Sequence, residues 1–298
     1  MECSAGHSHK SVKNIYVALL INLVFVGIEL VGGIYAGSFA IIADALHDLG
    51  DSLTLFLAWI LEKISTKQAT KKFSYGYKRL SLLSSLFVSG ILIIGSLLIL
   101  FHSWQNINSV TLPNSKIMFG LALLGILFNG WAFLTLNKGT SLNEKAISLH
   151  MLEDLLGWVS ILLGSILLMF FQWTWLDGAM AMAIAGFTLF NAVRNLFRAA
   201  NLFLQAHPVN FDQAKYLSEI KKVQGITGVH DIHVWSLDGE QHIISYHIEI
   251  SPELSPGAVA SLKNTCRELL KPFGKFHCTI ETEIEGAPCL DRCEPSNI

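Results

Sequence analysis

The sequence predicts an α-helical membrane protein, six transmembrane helices followed by a small cytosolic α+β domain. Three observations lead there. Of the 298 residues, 52% are hydrophobic and only 15% are charged, where a soluble domain carries about 25% charge. The apolar residues gather between residues 14 and 203, in runs of the ~20 residues that a membrane-crossing helix needs. From residue 207 onward the chain alternates like a water-soluble domain. The mean hydropathy is +0.48. A formal net charge of −2 argues against nucleic acid as a partner, which calls for a basic surface.

The six runs fall at about 14–36, 39–62, 80–103, 115–136, 143–171 and 174–202. The first is too long for a signal peptide and contains Asn22 and Glu29, with no small-residue cleavage site after a short apolar core. Short loops separate the runs, and their Lys and Arg residues set the orientation. One set holds ten cations: Lys10 and Lys13, then Lys63, Lys67, Lys71, Lys72, Lys78 and Arg79, then Lys138 and Lys145. The other set holds Lys116 alone. Both termini are therefore expected in the cytosol, in agreement with Arg194 and Arg198 near the end of the sixth run. Trp173 and Trp175 suit the outer interface. Gly27, Gly32, Gly33 and Gly37 in the first run, and a row of alanines in the sixth, let helix backbones approach closely.

The chain thus divides into an N-terminal arm (1–13), a six-helix transmembrane domain (14–205), a soluble domain (206–285) and a tail (286–298). Within the soluble domain, 212–224 and 256–270 have helical periodicity, and 230–237, 242–250 and 276–284 read as strands. Asp238-Gly239 between the first two strands is a hairpin signal. The order is α-β-β-α-β.

The chemistry lies in the apolar runs. The second contains Asp44, His47, Asp48 and Asp51 in ADALHDLGDSL, and the fifth contains His150, Glu153 and Asp154 in SLHMLEDLLG. An ionisable group at membrane depth costs at least ~2.5–3.5 kcal/mol and usually marks a functional path. His47 and Asp51 are four apart, as are His150 and Asp154, so each helix presents one imidazole and one carboxylate on one face. Two such helices facing each other make a His2Asp2 set, which suits tetrahedral Zn2+ better than the all-oxygen shells of Mg2+ or Ca2+. The competing reading is two buried ion pairs that fix helix register. Asp48 and Glu153 lie about 100° around their helices from the neighbouring candidates. They either brace the ligands or line the translocation path. Asn22, Glu29 and Asn129 either line an aqueous cavity or bond between helices. Asp44 is expected near the outer end, reaching water, and Asp177 at the outer start of the sixth helix.

These motifs bring a family into view. GSFAIIADALHDLGDSL, SLHMLEDLLGWVSILLG, NLVFVGIELVGG, FSYGYKRL and GVHDIHVWSL together resemble the cation diffusion facilitator family, which exports zinc and related divalent metals. The resemblance spans nearly the whole chain. It implies six transmembrane helices, a cytosolic ferredoxin-like domain, a homodimer and metal/proton antiport, not an enzyme. It also implies a transport site at His47, Asp51, His150 and Asp154. Members with an acidic residue in place of His47 tend toward other metals, so the histidine favours zinc. The short loop NKGTSLN points to a compact bacterial type, in the cytoplasmic membrane.

The resemblance further implies a regulatory metal in the soluble domain, at His233 and His247 and, through a looser match, His277 and Glu283, with Glu281 the alternative to Glu283. Cys289 and Cys293 form a C-x3-C pair in the tail. With Cys3, His7 and His9 they either collect zinc for the pore or are incidental. The five cysteines all lie in the terminal stretches on the cytosolic side, where a disulfide framework is not expected.

The expected mechanism is competition: zinc requires neutral imidazole and ionised carboxylate, so its binding releases protons. Unperturbed His titrates near ~6.5, close to working pH. Manganese, iron, cobalt or cadmium export is the nearest alternative. A membrane metal sensor is a second. An intramembrane zinc hydrolase is a third, disfavoured because four protein ligands leave no open position and no H-E-x-x-H occurs.

Overall fold

The computed structural model describes residues 22–65, 70–107, 112–136 and 142–286. Six apolar helices come first. They are α1 (Asn22–Ala36 of the described residues), α2 (Phe39–Ser65), α3 (Leu80–Asn106), α4 (Ser115–Leu136), α5 (Leu142–Phe171) and α6 (Trp175–Phe203). The ends of α2 to α6 fall within three residues of the sequence expectation. Among the described residues, three helical segments are long and apolar enough to cross a membrane: Leu80–Asn106, Leu152–Phe171 and Trp175–Phe203. Asn22–Ala36 and Ser115–Trp131 are shorter apolar helices. The 27-residue α2 has the length but carries Asp44, Asp48 and Asp51, which is the price of holding a charged site.

Two compact units divide the chain, one of residues 1–66 and 84–196, the other of residues 67–83 and 197–298. In the first unit, Phe25 of α1, Ile41 of α2, Met118 and Ala122 of α4, and Trp158 and Ile161 of α5 form a buried cluster. Large exposed apolar residues such as Phe87, Leu127, Phe170 and Phe190 cover much of the remaining helix surface, which in water would be a liability and in lipid is not.

Helix approach in this unit depends on particular glycines. A Cβ on Gly125 of α4 would lie 2.1 Å from the Trp158 indole, and one on Gly32 of α1 would lie 2.5 Å from Leu121. Trp158 is fully buried and follows Asp154 by four residues on α5, so it shares that helix face. Gly125→Leu must push the indole aside at a cost of about 1–3 kcal/mol. We expect it to lower both thermal stability and metal transport, whereas Gly27→Ala, where nothing lies within 4 Å of the added carbon, leaves both near wild type. Melting and flux of the two variants check this.

The start of α2 is fixed from a distance. Asp177, in the first turn of α6, accepts hydrogen bonds from Ser38 Oγ and from the Phe39 backbone N–H, the latter at 2.7 Å. It therefore begins α6, as expected, and also satisfies the exposed N–H groups at the beginning of α2.

The second unit contains α7 (Gln213–Ile220), β1 (Ile226–Ser236), β2 (Gln241–Ile250), α8 (Pro256–Glu268), a 3-10 turn (Lys271–Phe273) and β3 (Lys275–Ile284). Asp212 caps α7 through the Lys215 N–H, and Ser255 caps α8 through the Ala258 N–H, with Pro256 in its first turn. The sheet order is β1-β2-β3, with β1 antiparallel and β3 parallel to β2. Ile244, Tyr246, Ile248 and Ile250 of β2 bury one sheet face against Tyr216 and Ile220 of α7 and Leu262 and Cys266 of α8. The odd-numbered residues of β2, including His247 and Glu249, alternate onto the other face.

Two details of the β1–β2 hairpin matter for the site. The turn is one residue longer than Asp238-Gly239 alone, because the Leu237 N–H donates to the Gln241 carbonyl, and Asp238 accepts from Glu240 N and Gln241 N. A bulge then interrupts β1 between His230 and His233, with Asp231 at φ 49°. The two irregularities offset each other, and His230 pairs directly with His247.

Burial pushes the Cys278 thiol up to about 11 and raises that of Cys266. At neutral pH neither is a thiolate, the form that ligates metal. The folded state thus holds these protons more tightly than the unfolded chain. Stability contributed this way is present below pH 9 and is lost as pH rises toward 11. Melting of the full chain between pH 8 and 11 should fall, with a shallower slope in Cys278→Ala.

Candidate functional site

Helix α2 brings His47 and Asp51 onto one face, one turn apart. The His47 Nε2 to Asp51 Oδ2 distance is 3.8 Å. Across the packing of α2 on α5, His47 Nε2 is also 3.8 Å from Asp154 Oδ1. One ligand atom from each of the three residues lies within 4.8 Å of the others. Two ligand atoms on a tetrahedral zinc ion, each at about 2.1 Å, stand about 3.4 Å apart. The two separations from His47, 3.8 Å each, lie a few tenths of an ångström from that spacing. The Asp154 side chain is 7% exposed, His47 21% and Asp51 31%, so the cluster is sheltered yet open on the Asp51 side. The edge of the His47 ring meets Phe187 of α6, centroids 6.4 Å apart, which limits its rotation.

His150 lies on α5 four residues before Asp154; its side chain lies outside the described residues. So do Cys3, His7 and His9 of the arm and Cys289 and Cys293 of the tail.

A cavity of about 250 Å3 adjoins the cluster, lined by Asp44, His47, Glu153, Asp154, Met180 and Phe187 among others. Glu153 thus faces this cavity. Asp44 departs from expectation: it is buried and lines this cavity rather than reaching outward to water. Gly157 of α5 lies beside it: an added Cβ would be in ordinary van der Waals contact, 3.5 Å from Asp44 Oδ1. Asp48 is buried beside Glu29 of α1, which is itself fully buried. Asn22 of α1 donates to Ser52 Oγ at 3.0 Å, next to Asp51. Asn22 thus makes an interhelical bond. The Asn129 side-chain amide nitrogen is buried with no hydrogen-bond partner among the described residues.

The second unit has another cluster, on the sheet face that carries His247 and Glu249. His247 Nδ1 is 2.9 Å from Glu283 Oε1, and His230 Nε2 is 3.2 Å from Glu283 Oε2. One ligand atom each of His230, His247 and Glu283 lies within 4.8 Å of the other two. Glu281 approaches His247 Nε2 to 3.5 Å, as does Asp231, and Glu249 approaches His230 to 3.4 Å. Two imidazoles and a carboxylate are a donor set that fits zinc.

Of the four residues expected here, the structure brings His247 and Glu283 together and places the other two elsewhere. His233 is 65% exposed and bonds Asp231 at 2.8 Å, reaching the cluster only through that carboxylate. His277 pairs with Ile243 in register, four pairs along from His247, and its ring meets Tyr75. His230 takes the position that the sequence reading gave to His233. Both histidines were visible in GVHDIHVWSL; the bulge at Asp231 decides which of them faces His247.

A model of the cation efflux transmembrane domain matches residues 15–204, and a model of the cation efflux protein cytoplasmic domain matches residues 208–285. The chain belongs to the cation diffusion facilitator family. Among relatives of this family, the metal cation efflux system protein CzcD of Cupriavidus metallidurans is 31% identical over 291 residues, 96% of this chain and 91% of that protein. The zinc transporter ZitB of Escherichia coli is 28% identical over 297 residues, 95% and 93% of the two chains. A cadmium, cobalt and zinc/H+-K+ antiporter of Bacillus subtilis is 27% identical over 288 residues, 94% and 93%. Membership makes this chain an integral membrane protein of a transporter family.

Proposed function

We propose that this cation efflux transporter carries zinc out of the cytosol in exchange for protons, by alternating access at His47, Asp51, Asp154 and His150. The observation that carries the reading is the convergence of His47, Asp51 and Asp154 within 4.8 Å, in an apolar helix unit and beside a cavity. The names of the relatives support divalent metal efflux, and two of them name zinc. The antiporter of B. subtilis supports protons as the counter-ion.

The chemistry follows from the ligands. Neutral imidazole and ionised carboxylate bind the ion; protonating them releases it. The helices carrying the site switch access between the two faces, as in transporters generally. On this reading the chain crosses the membrane six times within residues 14–205, with both termini in the cytosol of a bacterial cell. The soluble domain, 206–285, is ferredoxin-like and pairs with its copy in a homodimer. Zinc at His230, His247 and Glu283 would bias the access equilibrium. The tail cysteines at 289 and 293 would gather zinc near the pore.

Reconstitution tests the proposal. Purified protein in liposomes should take up zinc when the lumen is more acidic than the bath, in molecules whose cytosolic side faces out. Reversing the gradient should slow uptake, and cadmium, cobalt and manganese in competition rank the cargo. Uptake indifferent to the gradient would overturn antiport, and binding without uptake would leave a sensor.

A further inference from the structure

The basic turn before α3 serves neither metal cluster. Residues 70–79 belong to the second unit and pack on its β1–β2 hairpin. The Lys78 ammonium donates to Gln241 Oε1, and the Tyr75 ring meets the His277 ring edge-on, centroids 5.8 Å apart. Between turn and hairpin is a cavity of about 430 Å3, walled by Lys72, Lys78 and Arg79 and by Phe73, Tyr75 and Trp235. None of the described residues that line it is acidic. Arg79 Nε is buried with no hydrogen-bond partner among the described residues. An N–H withheld from water without an acceptor is costly, and three cations around one cavity repel one another. An anion in the cavity relieves both.

Two observations say which anion. Phe73 and Tyr75 remain 41% and 45% exposed, an apolar rim that a small free ion would leave in water. Arg79 is bonded to Leu80, the first residue of α3, a helix apolar and long enough to cross a bilayer. The cations therefore sit where that helix meets the membrane surface, the depth of lipid headgroups, where basic pockets take anionic lipid and aromatic rings rest at the interface. We propose that this cavity binds the phosphate of an anionic lipid headgroup, with Arg79 and Lys72 on its oxygens and the aromatic rim against the lipid's glycerol region. Bound lipid then holds the turn that leads into α3 against the hairpin. The inference rests on the membrane reading and is independent of which metal is carried.

Free phosphate shares the chemistry, and the test separates the two. Native mass spectrometry of the full-length chain in a neutral detergent is titrated with phosphatidylglycerol, with phosphatidylcholine and with inorganic phosphate. The expected result is one retained phosphatidylglycerol, bound at least about tenfold more tightly than phosphatidylcholine. Arg79→Gln and Lys72→Gln should each weaken it by about fivefold, while Lys221→Gln, an exposed lysine beyond α7, leaves it unchanged. Lys72 is exposed, so its variant carries the test if Arg79→Gln does not fold. Equal retention of the two lipids, equal binding in Lys72→Gln, or displacement of phosphatidylglycerol by an equal concentration of inorganic phosphate would overturn the proposal.

Discussion

Asp51→Ala is expected to reduce proton-driven zinc uptake by at least about 100-fold, with Asp154→Ala equally severe. Mutating groups that merely orient metal ligands typically costs 10–100-fold in affinity or activity, and under the proposed function these two carboxylates are ligands themselves. His47 Nε2 lies 3.8 Å from each of them, so loss of either opens one side of the set and removes a negative charge facing a divalent ion. Asp51→Asn keeps the shape and removes the charge. It separates loss of metal from loss of fold, and should be as inactive as Asp51→Ala while melting like the wild type. Uptake that survives in both Asp51 variants would break the link between this cluster and transport. The pH dependence has one sign: metal binding requires deprotonated ligands, so zinc affinity at this site falls as pH falls.

His247→Ala should remove one zinc ion per chain from the soluble unit and leave the transmembrane zinc in place. His247 is the central member of its cluster. Its side chain is 7% exposed, and Glu283, Glu281 and Asp231 all lie within 3.5 Å of its ring nitrogens. Removing it takes away the imidazole that Glu281 and Asp231 share and leaves His230 and Glu283 as an incomplete donor set. At a zinc concentration 100 times the dissociation constant, binding stabilises a fold by about 2.7 kcal/mol, which for a domain of this size is a rise in melting temperature of about 10–20 °C. The wild-type soluble unit should show that rise and His247→Ala should not. His233→Ala should keep most of it, because His233 reaches the cluster only through Asp231. Zinc counted by equilibrium dialysis and melting with and without the metal read both outcomes.

The contrast between the two clusters shows what a sequence can and cannot carry. On α2 the site residues are four apart in a helix, and a helix needs no partner to decide which side chains share a face. The proximity of His47 and Asp51 was therefore legible from spacing alone, and packing of α2 on α5 adds Asp154. On the sheet, neighbours are decided by register. GVHDIHVWSL offers two histidines three residues apart. A two-residue turn at Asp238-Gly239 already sets His230 opposite His247; the turn is one residue longer, and the bulge at Asp231 restores that register. The hairpin signal thus held the pairing, although neither irregularity leaves a strong local mark. Long-range partners were illegible for the same reason. Nothing near Asp177 says that its carboxylate would cap α2, whose first residue is 138 positions away. Asp44 was misplaced because its burial depends on residues of other helices around the same cavity.

Anomalous diffraction at the zinc edge, from crystals of the full-length chain grown with zinc, locates the transported ion. A peak is expected between α2 and α5, within about 2.2 Å of ligand atoms of His47, Asp51 and Asp154, with His150 completing the tetrahedron. Zinc peaks confined to the soluble unit, from protein that still transports the metal in liposomes, would contradict it.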